Sequence, residues 1–149
     1  MILHDSFMIR TARPEIYQEL QQKKKLFKLQ IHLFTSALVI GILNDVRSQQ
    51  SPHHDIIRFR QLQGNLKQYR DIINLLTQIL CKGKDERDCG TEILAYADGG
   101  LNLLWQEYQA QGTLDLPRIY EETKKKWQQS IPNLLAVFKQ SADGESTNP

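Results

Sequence analysis

The chain has 149 residues and a mass of 17.3 kDa, with 40% hydrophobic and 24% charged residues and a formal net charge of +2. This size fits one ordinary domain, and the composition excludes a mainly disordered chain. The longest apolar run, ALVIGIL at 37–43, is far shorter than the roughly 20 residues that cross a bilayer, so we expect no membrane span. Because the first ten residues lack the basic and apolar regions of a signal peptide, we expect a cytoplasmic protein.

The N-terminal part predicts a short strand followed by two helices. Apolar residues alternate in SFMIR at 6–10, as they do in a strand with one buried face. Pro14 suits the first turn of a helix, where its missing N–H would have no partner, and Glu15 favours the positive helix end. A wide apolar stripe from about Leu29 to Leu43 predicts the second helix, deeply buried.

The middle of the chain predicts a loop and a third helix. Residues 44–55 are polar and contain a Ser-Pro pair, which is typical of an exposed loop. The tract IIRFR at 56–60 fits either a short strand or the first turn of a helix. Apolar residues at helical spacing then predict a helix that has Asn65 as its N-cap and ends at Gly83.

The second half predicts shorter helices separated by glycine and proline. One helix runs from about Cys89 to Ala97, and another runs from Leu101 to Gly112. A helix then begins near Leu116, and a last one begins at Pro132.

Taken together, these patterns predict a mainly α, single-domain helical bundle of about five to six helices with a short N-terminal strand. We place this domain at residues 1–140. Residues 141–149 contain turn formers and no apolar anchor, so we expect a flexible C-terminal tail.

The tract AYADGGLN at 95–102 sets an acid and two glycines within an amphipathic pattern. It lacks the lysine of a phosphate loop, and no strand precedes it as in a dinucleotide-binding motif. We therefore predict a structural turn formed by Asp98, Gly99 and Gly100. In this turn Gly99 adopts a left-handed conformation to cap one helix, Gly100 lets two backbones pack closely, and Asp98 lies at the surface.

The cysteines and histidines predict neither a metal site nor a cofactor. Cys81 and Cys89 could close a disulfide in an exported protein, but without a signal peptide we expect free thiols. Zinc would need a second close pair of ligands, which the adjacent His53 and His54 do not supply. No G-x-S-x-G or H-E-x-x-H motif occurs, so we expect no catalytic residue and no enzyme.

Basic residues cluster at two places, in KKKLFK at 23–28 and KKK at 124–126. Lysines near a helix end can reach phosphates, but no aromatic residue is interleaved for base stacking. We therefore expect any DNA binding to be weak and non-specific. The candidate nucleic-acid-binding residues are Arg10, Arg13, Lys23, Lys24, Lys25 and Lys28.

Two stretches, MIRTARPEIYQELQQKKKLFKLQIHLFTSALVIG at 8–41 and ILAYADGGLNLL at 93–104, resemble a known group of bacterial proteins. These are small proteins encoded with Dnd-type DNA-phosphorothioation and related anti-phage defence systems. In them a short strand with an Ile-Arg pair precedes two helices, and a later helix carries a Tyr-Ala-Asn/Asp-Gly-Gly-Leu turn. The resemblance implies a helical accessory subunit without catalytic residues, which binds a larger ATPase or nuclease, with DNA phosphates as a further candidate ligand and self-association left open.

The N-terminal stretch also resembles the ribbon-helix-helix pattern of DndE-like proteins. That resemblance implies an alternative function, a stand-alone DNA-binding regulator in which Arg10 reads bases and Lys23 to Lys28 hold phosphates. The chain departs from the pattern between its first two helices, where KKKLFK replaces the usual glycine turn.

Overall fold

The computed structural model of the chain describes residues 3–126 and 128. The described part is mainly α with one two-stranded sheet, which confirms the predicted fold class. In chain order, the elements are strand β1 (Met8–Thr11), helix α1 (Pro14–Tyr17), a π-helix (Gln18–Lys23), helix α2 (Gln30–Leu43), strand β2 (His54–Arg58), 3-10 turns at Phe59–Gln61 and Gly64–Leu66, helix α3 (Lys67–Leu80), helix α4 (Glu86–Gln111) and helix α5 (residues 116–126).

The chain divides into two compact units, Met1–Leu114 and Asp115–Pro149. The first unit contains both strands and helices α1 to α4, and the second contains α5. The helix expected from Pro132 and the tail expected at 141–149 lie outside the described residues. Over the described part of the chain, no helix combines the length and apolarity needed to cross a bilayer.

The two strands form an antiparallel sheet that contains a β-bulge, with α1, the π-helix and α2 between them in the chain. Ile9 pairs with Ile57 and Arg10 pairs with Asp55, so Ile56 is an extra residue on β2. The tract at 56–60, which the sequence left open, is therefore a strand that ends in a 3-10 turn. Ile9 is fully buried, as the alternating pattern predicts.

Helices α2 and α4 pack so closely that glycine is required where they meet. A Cβ atom on Gly100 would lie 1.7 Å from the carbonyl oxygen of Ala37, and one on Gly41 would lie 2.0 Å from that of Tyr96. On a neighbouring part of α4, a Cβ atom on Gly99 would lie 2.0 Å from the carbonyl oxygen of Val46. The start of the loop that follows α2 therefore packs onto α4, so the loop is not wholly exposed.

The predicted structural turn at Asp98, Gly99 and Gly100 is wrong. Helix α4 continues through all three residues, and neither glycine has a positive φ. The glycines serve close backbone approach, which was predicted for Gly100, and not helix capping. Helix α4 ends where the sequence predicts, at Gly112, whose φ of 73° is left-handed.

The predicted ends of α3 are also wrong. Asn65 lies within the 3-10 turn, and α3 begins at Lys67 with Leu66 as its N-cap. A hydrogen bond from the Leu66 N–H to the Gln63 carbonyl at 3.0 Å stabilises the turn. The turn leads directly into α3, which has no side-chain cap at its N-terminus. At the other end Gly83 has a positive φ but lies two residues beyond the C-cap.

Cys81 and Cys89 form a disulfide, so the expectation of free thiols is wrong. Helix α3 ends just before Cys81, and Cys89 lies in the first turn of α4. The tight turn between these helices brings the two Cα atoms to 5.3 Å, within the range that a disulfide spans. Both side chains are buried.

Candidate functional site

The stretches at 8–41 and 93–104 meet at Asp98. This residue lies on α4 and is only 1% exposed. Its carboxylate accepts a hydrogen bond from the Thr11 hydroxyl at 2.6 Å and another from the Ala12 N–H at 2.8 Å. The side chain of one helix thus holds the end of β1 and the chain that leads into α1.

Arg13 continues this network towards the surface. Its N–H donates to the Thr11 hydroxyl oxygen at 3.0 Å, and its guanidinium donates to the side-chain oxygen of Asn102 at 3.0 Å. The guanidinium also forms an ion pair with Glu15. Arg13 was predicted to contact nucleic acid, and the structure shows that its side chain already joins α1 to α4.

Burial dominates the electrostatics of the Asp98 network. It raises the pKa of Asp98, against the opposing effect of hydrogen bonds from Thr11 and Ala12 and of the Arg13 charge, while the Glu15 charge adds to the rise. The pKa of Tyr17, which is buried nearby, is raised well above its ordinary value by burial and by the Asp98 charge. Because the pKa is raised overall, the hydrogen bonds to Asp98 offset only part of the energetic cost of burying its carboxylate.

The hydrogen bonds of Asp98 join parts of the fold to one another. Both carboxylate oxygens have a donor, and the group has almost no contact with solvent. The prediction that Asp98 lies at the surface is wrong. A signal existed in the sequence, because Leu94, Asp98 and Leu101 share one face of a helix and the flanking leucines mark that face as buried.

The predicted nucleic-acid-binding residues lie in different local environments. Arg10 is paired with Asp55 at 2.6 Å and lines a cavity of about 620 Å³ together with acidic Asp85 and Glu86. Lys23 lies 3.8 Å from Glu19. Lys24, Lys25 and Lys28 are exposed after the π-helix.

Two of these lysines line a groove that has a second, apolar part. Lys25, Phe27 and Lys28 line one lobe of about 390 Å³, and Gln21 and Gln22 line both this lobe and a second one. The second lobe has a volume of about 400 Å³ and mostly apolar walls. We call the whole the two-lobed groove. Its residues come from three separate stretches of the chain, 21–31, 56–57 and 66, which is why the sequence alone did not indicate it.

Helix α3 exposes an apolar stripe on the side that faces away from the core. Ile72, Leu75 and Ile79 are 40%, 59% and 68% exposed, whereas Ile73 and Thr77 of the same helix are fully buried. The three exposed residues are spaced i, i+3 and i+7, so they lie along one face. We call this face the α3 ridge. The sequence analysis used the helical spacing of apolar residues only to predict the helix, and it did not identify the ridge.

Among the residues that the structure describes, no three His, Cys, Asp or Glu side chains are grouped so that they could hold a metal ion. Comparison of the chain with models of protein families, with curated proteins and with solved structures gave no match.

Proposed function

We propose that the protein is a non-enzymatic accessory subunit of a bacterial anti-phage defence complex and binds a larger ATPase or nuclease. The observation that supports binding is the α3 ridge, where Leu75 and Ile79 expose more than half of their side chains. Neighbouring exposed leucine and isoleucine side chains on one face are typical of protein-binding surfaces. The defence role itself comes from the family resemblance at 8–41 and 93–104.

Two observations weigh against the alternative, a ribbon-helix-helix regulator. Strand β1, which would have to dimerise as a ribbon, pairs along one edge with β2 of the same chain. Arg10, which would have to read bases, is paired with Asp55. A regulator of this kind would need strand β1 to be available to a second copy of the chain and the Arg10 side chain to be available to DNA.

Co-purification with the products of neighbouring genes tests the proposal. A tagged chain should retain the larger protein, and a Leu75→Asp, Ile79→Asp double variant should retain at least tenfold less, because buried charge would replace apolar contact. Lys67→Asp is the matched control, since Lys67 is exposed at the start of α3, is not a ridge residue and changes the charge by the same two units. Equal retention by the double variant and the control would contradict the ridge as the binding surface.

The absence of enzymatic activity is part of the same proposal. Purified protein incubated with DNA, RNA or ATP and with magnesium or manganese should leave all three intact. Turnover that persists at constant specific activity through repurification would contradict it.

The cytoplasmic location also belongs to the proposal. Disulfides are rare in the cytoplasm, where thiols are kept reduced, so the Cys81–Cys89 bond is the observation that opposes this location. Alkylating free thiols at the moment of cell lysis distinguishes a cytoplasmic location from an oxidising compartment. Alkylated Cys81 and Cys89 would support the cytoplasm, and an intact bond in all molecules would point to an oxidising compartment.

A further inference from the structure

The two-lobed groove joins an apolar surface to a basic one. Its apolar lobe lies between the π-helix, the start of α2 and β2, and its basic lobe lies beside the turn that follows the π-helix. None of the described residues that line either lobe is acidic. The apolar lobe is lined by Leu29, Ile31, Ile56, Ile57 and Leu66 with three glutamines.

The β-bulge gives the apolar lobe two neighbouring isoleucines. In a regular strand, successive side chains point to opposite faces of the sheet. Because Ile56 is the extra residue of the bulge, Ile56 and Ile57 both line the lobe. Bulges are common beside functional sites, where they redirect a side chain.

The basic lobe contains a lysine in a backbone conformation that suits glycine. Lys25 follows the C-cap of the π-helix with a φ of 53°, and the next N–H, that of Leu26, donates to the Leu20 carbonyl at 2.9 Å. Glycine is favoured at this position of a helix end, and other residues adopt it at a cost. The chain nevertheless has a lysine there, and its charge borders the groove.

The charges of the basic lobe are uncompensated within the described part of the chain. Lys23 has Glu19 as a neighbour, but no described acidic group pairs with Lys25 or Lys28. Two unpaired cations beside an apolar surface complement a ligand that has both apolar and anionic groups.

We propose that the two-lobed groove binds a protein segment in which apolar side chains are followed by acidic ones. The apolar side chains occupy the lobe formed by Ile56 and Ile57, and the carboxylates contact Lys25 and Lys28. This inference rests on the proposed function in one respect, that the ligand is part of a protein. It concerns a surface other than the α3 ridge, so the two are tested separately.

The probe is a fluorescein-labelled peptide in which four leucines alternate with four serines and precede four glutamates. It is titrated with the full chain, and binding is measured by fluorescence anisotropy. Replacing its leucines by serine, or its glutamates by lysine, should abolish saturable binding. A Lys25→Gly, Lys28→Ser variant should bind at least tenfold more weakly, which corresponds to about 1.4 kcal/mol. Lys23→Ser is the matched control, because Lys23 is exposed but does not line the groove.

A second measurement separates binding from folding. Since glycine suits the conformation of residue 25, Lys25→Gly should leave the unfolding midpoint unchanged or higher while it weakens peptide binding. Ile56→Ser should weaken binding of the leucine peptide by at least fivefold.

Three results would overturn the proposal. The first is equal affinity for the leucine and serine peptides, and the second is unchanged affinity in the lysine double variant. The third is that duplex DNA at physiological salt binds the chain more tightly than the peptide does, displaces the peptide, depends equally on Lys25 and Lys28 and is insensitive to Ile56→Ser, because the groove would then be a phosphate site. Loss of the larger partner from the ridge variants with normal peptide binding would contradict neither proposal.

Discussion

Gly100 lies where the backbones of two helices touch, and a single methyl group there has no space. In an open helix Gly→Ala stabilises by about 1 kcal/mol, so the contact with Ala37 decides the sign of the change. We expect Gly100→Ala to lower the free energy of unfolding by about 2 to 3 kcal/mol, because its Cβ meets a carbonyl oxygen at 1.7 Å and backbone must move. Denaturant unfolding measures this loss.

Gly90→Ala is the matched control within α4. A Cβ atom there would lie 2.8 Å from the Phe7 ring, a side chain that can shift more easily than backbone. Gly90→Ala should therefore lower the free energy of unfolding by less than Gly100→Ala does. If Gly100→Ala were as stable as the natural chain, the close packing of α2 against α4 would be contradicted.

Asp98 should make stability depend on pH. Because burial raises its pKa in the folded state, the folded protein binds a proton more readily than the unfolded chain. Its contribution is therefore most favourable below the ordinary pKa of 3.8 and is lost as pH rises through the raised value. Relative to Asp98→Asn, the natural chain should gain stability as pH falls from 7 towards 4.

Unfolding of both proteins in denaturant across this pH range measures the difference. Thr35→Ser is a control without a titrating group, and its difference from the natural chain should not change with pH. A constant difference for Asp98→Asn as well would contradict the raised pKa.

At the scale of elements, periodicity located the strand and most helices but could not show that α4 is continuous. Two adjacent glycines disfavour a helix by about 1 kcal/mol each relative to alanine, which predicts a break. Tertiary packing outweighs this preference, since Gly99 and Gly100 let Val46 and Ala37 approach the helix. The partners are more than 50 residues away in sequence, so the local pattern contains no sign of them.

The Cys81–Cys89 disulfide joins the end of α3 to the start of α4 and should stabilise this corner. For a short loop, the chain-entropy relation gives about 2 to 3 kcal/mol. Reduction should lower the free energy of unfolding by that amount, while a Cys81→Ser, Cys89→Ser variant should not respond to reductant. An unchanged unfolding midpoint after reduction, with both thiols shown to be free by alkylation, would contradict the stabilisation.

At the scale of the whole molecule, the candidate surfaces could not be predicted because each depends on how distant segments meet. The lysines at 23–28 were noted from sequence, but their apolar neighbours come from β2 and from Leu66. The α3 ridge was hidden for another reason. Apolar residues occur on both sides of α3, and only the fold shows that Ile73 is covered while Leu75 is not.

The distribution of charge sets the expected mode of DNA binding. The net charge is only +2, and Lys24, Lys25 and Lys28 are exposed after the π-helix. Phosphate contacts of this kind do not read sequence. We expect a small binding constant. Its logarithm should fall linearly with the logarithm of the salt concentration, with a slope of about −0.9 for each phosphate neutralised.

Titrations of labelled duplexes at several salt concentrations test this expectation. Glutamate in place of Lys23, Lys24, Lys25 and Lys28 should abolish binding, whereas Lys67→Glu with Lys82→Glu, also exposed, should weaken it only slightly. Because Arg10 is held by Asp55, Arg10→Ala should not change preference among sequences. Tight binding to one palindromic duplex at physiological salt, selectively relaxed by Arg10→Ala, would contradict non-specific contact and favour the regulator over the accessory subunit, since only base contacts can produce that selectivity.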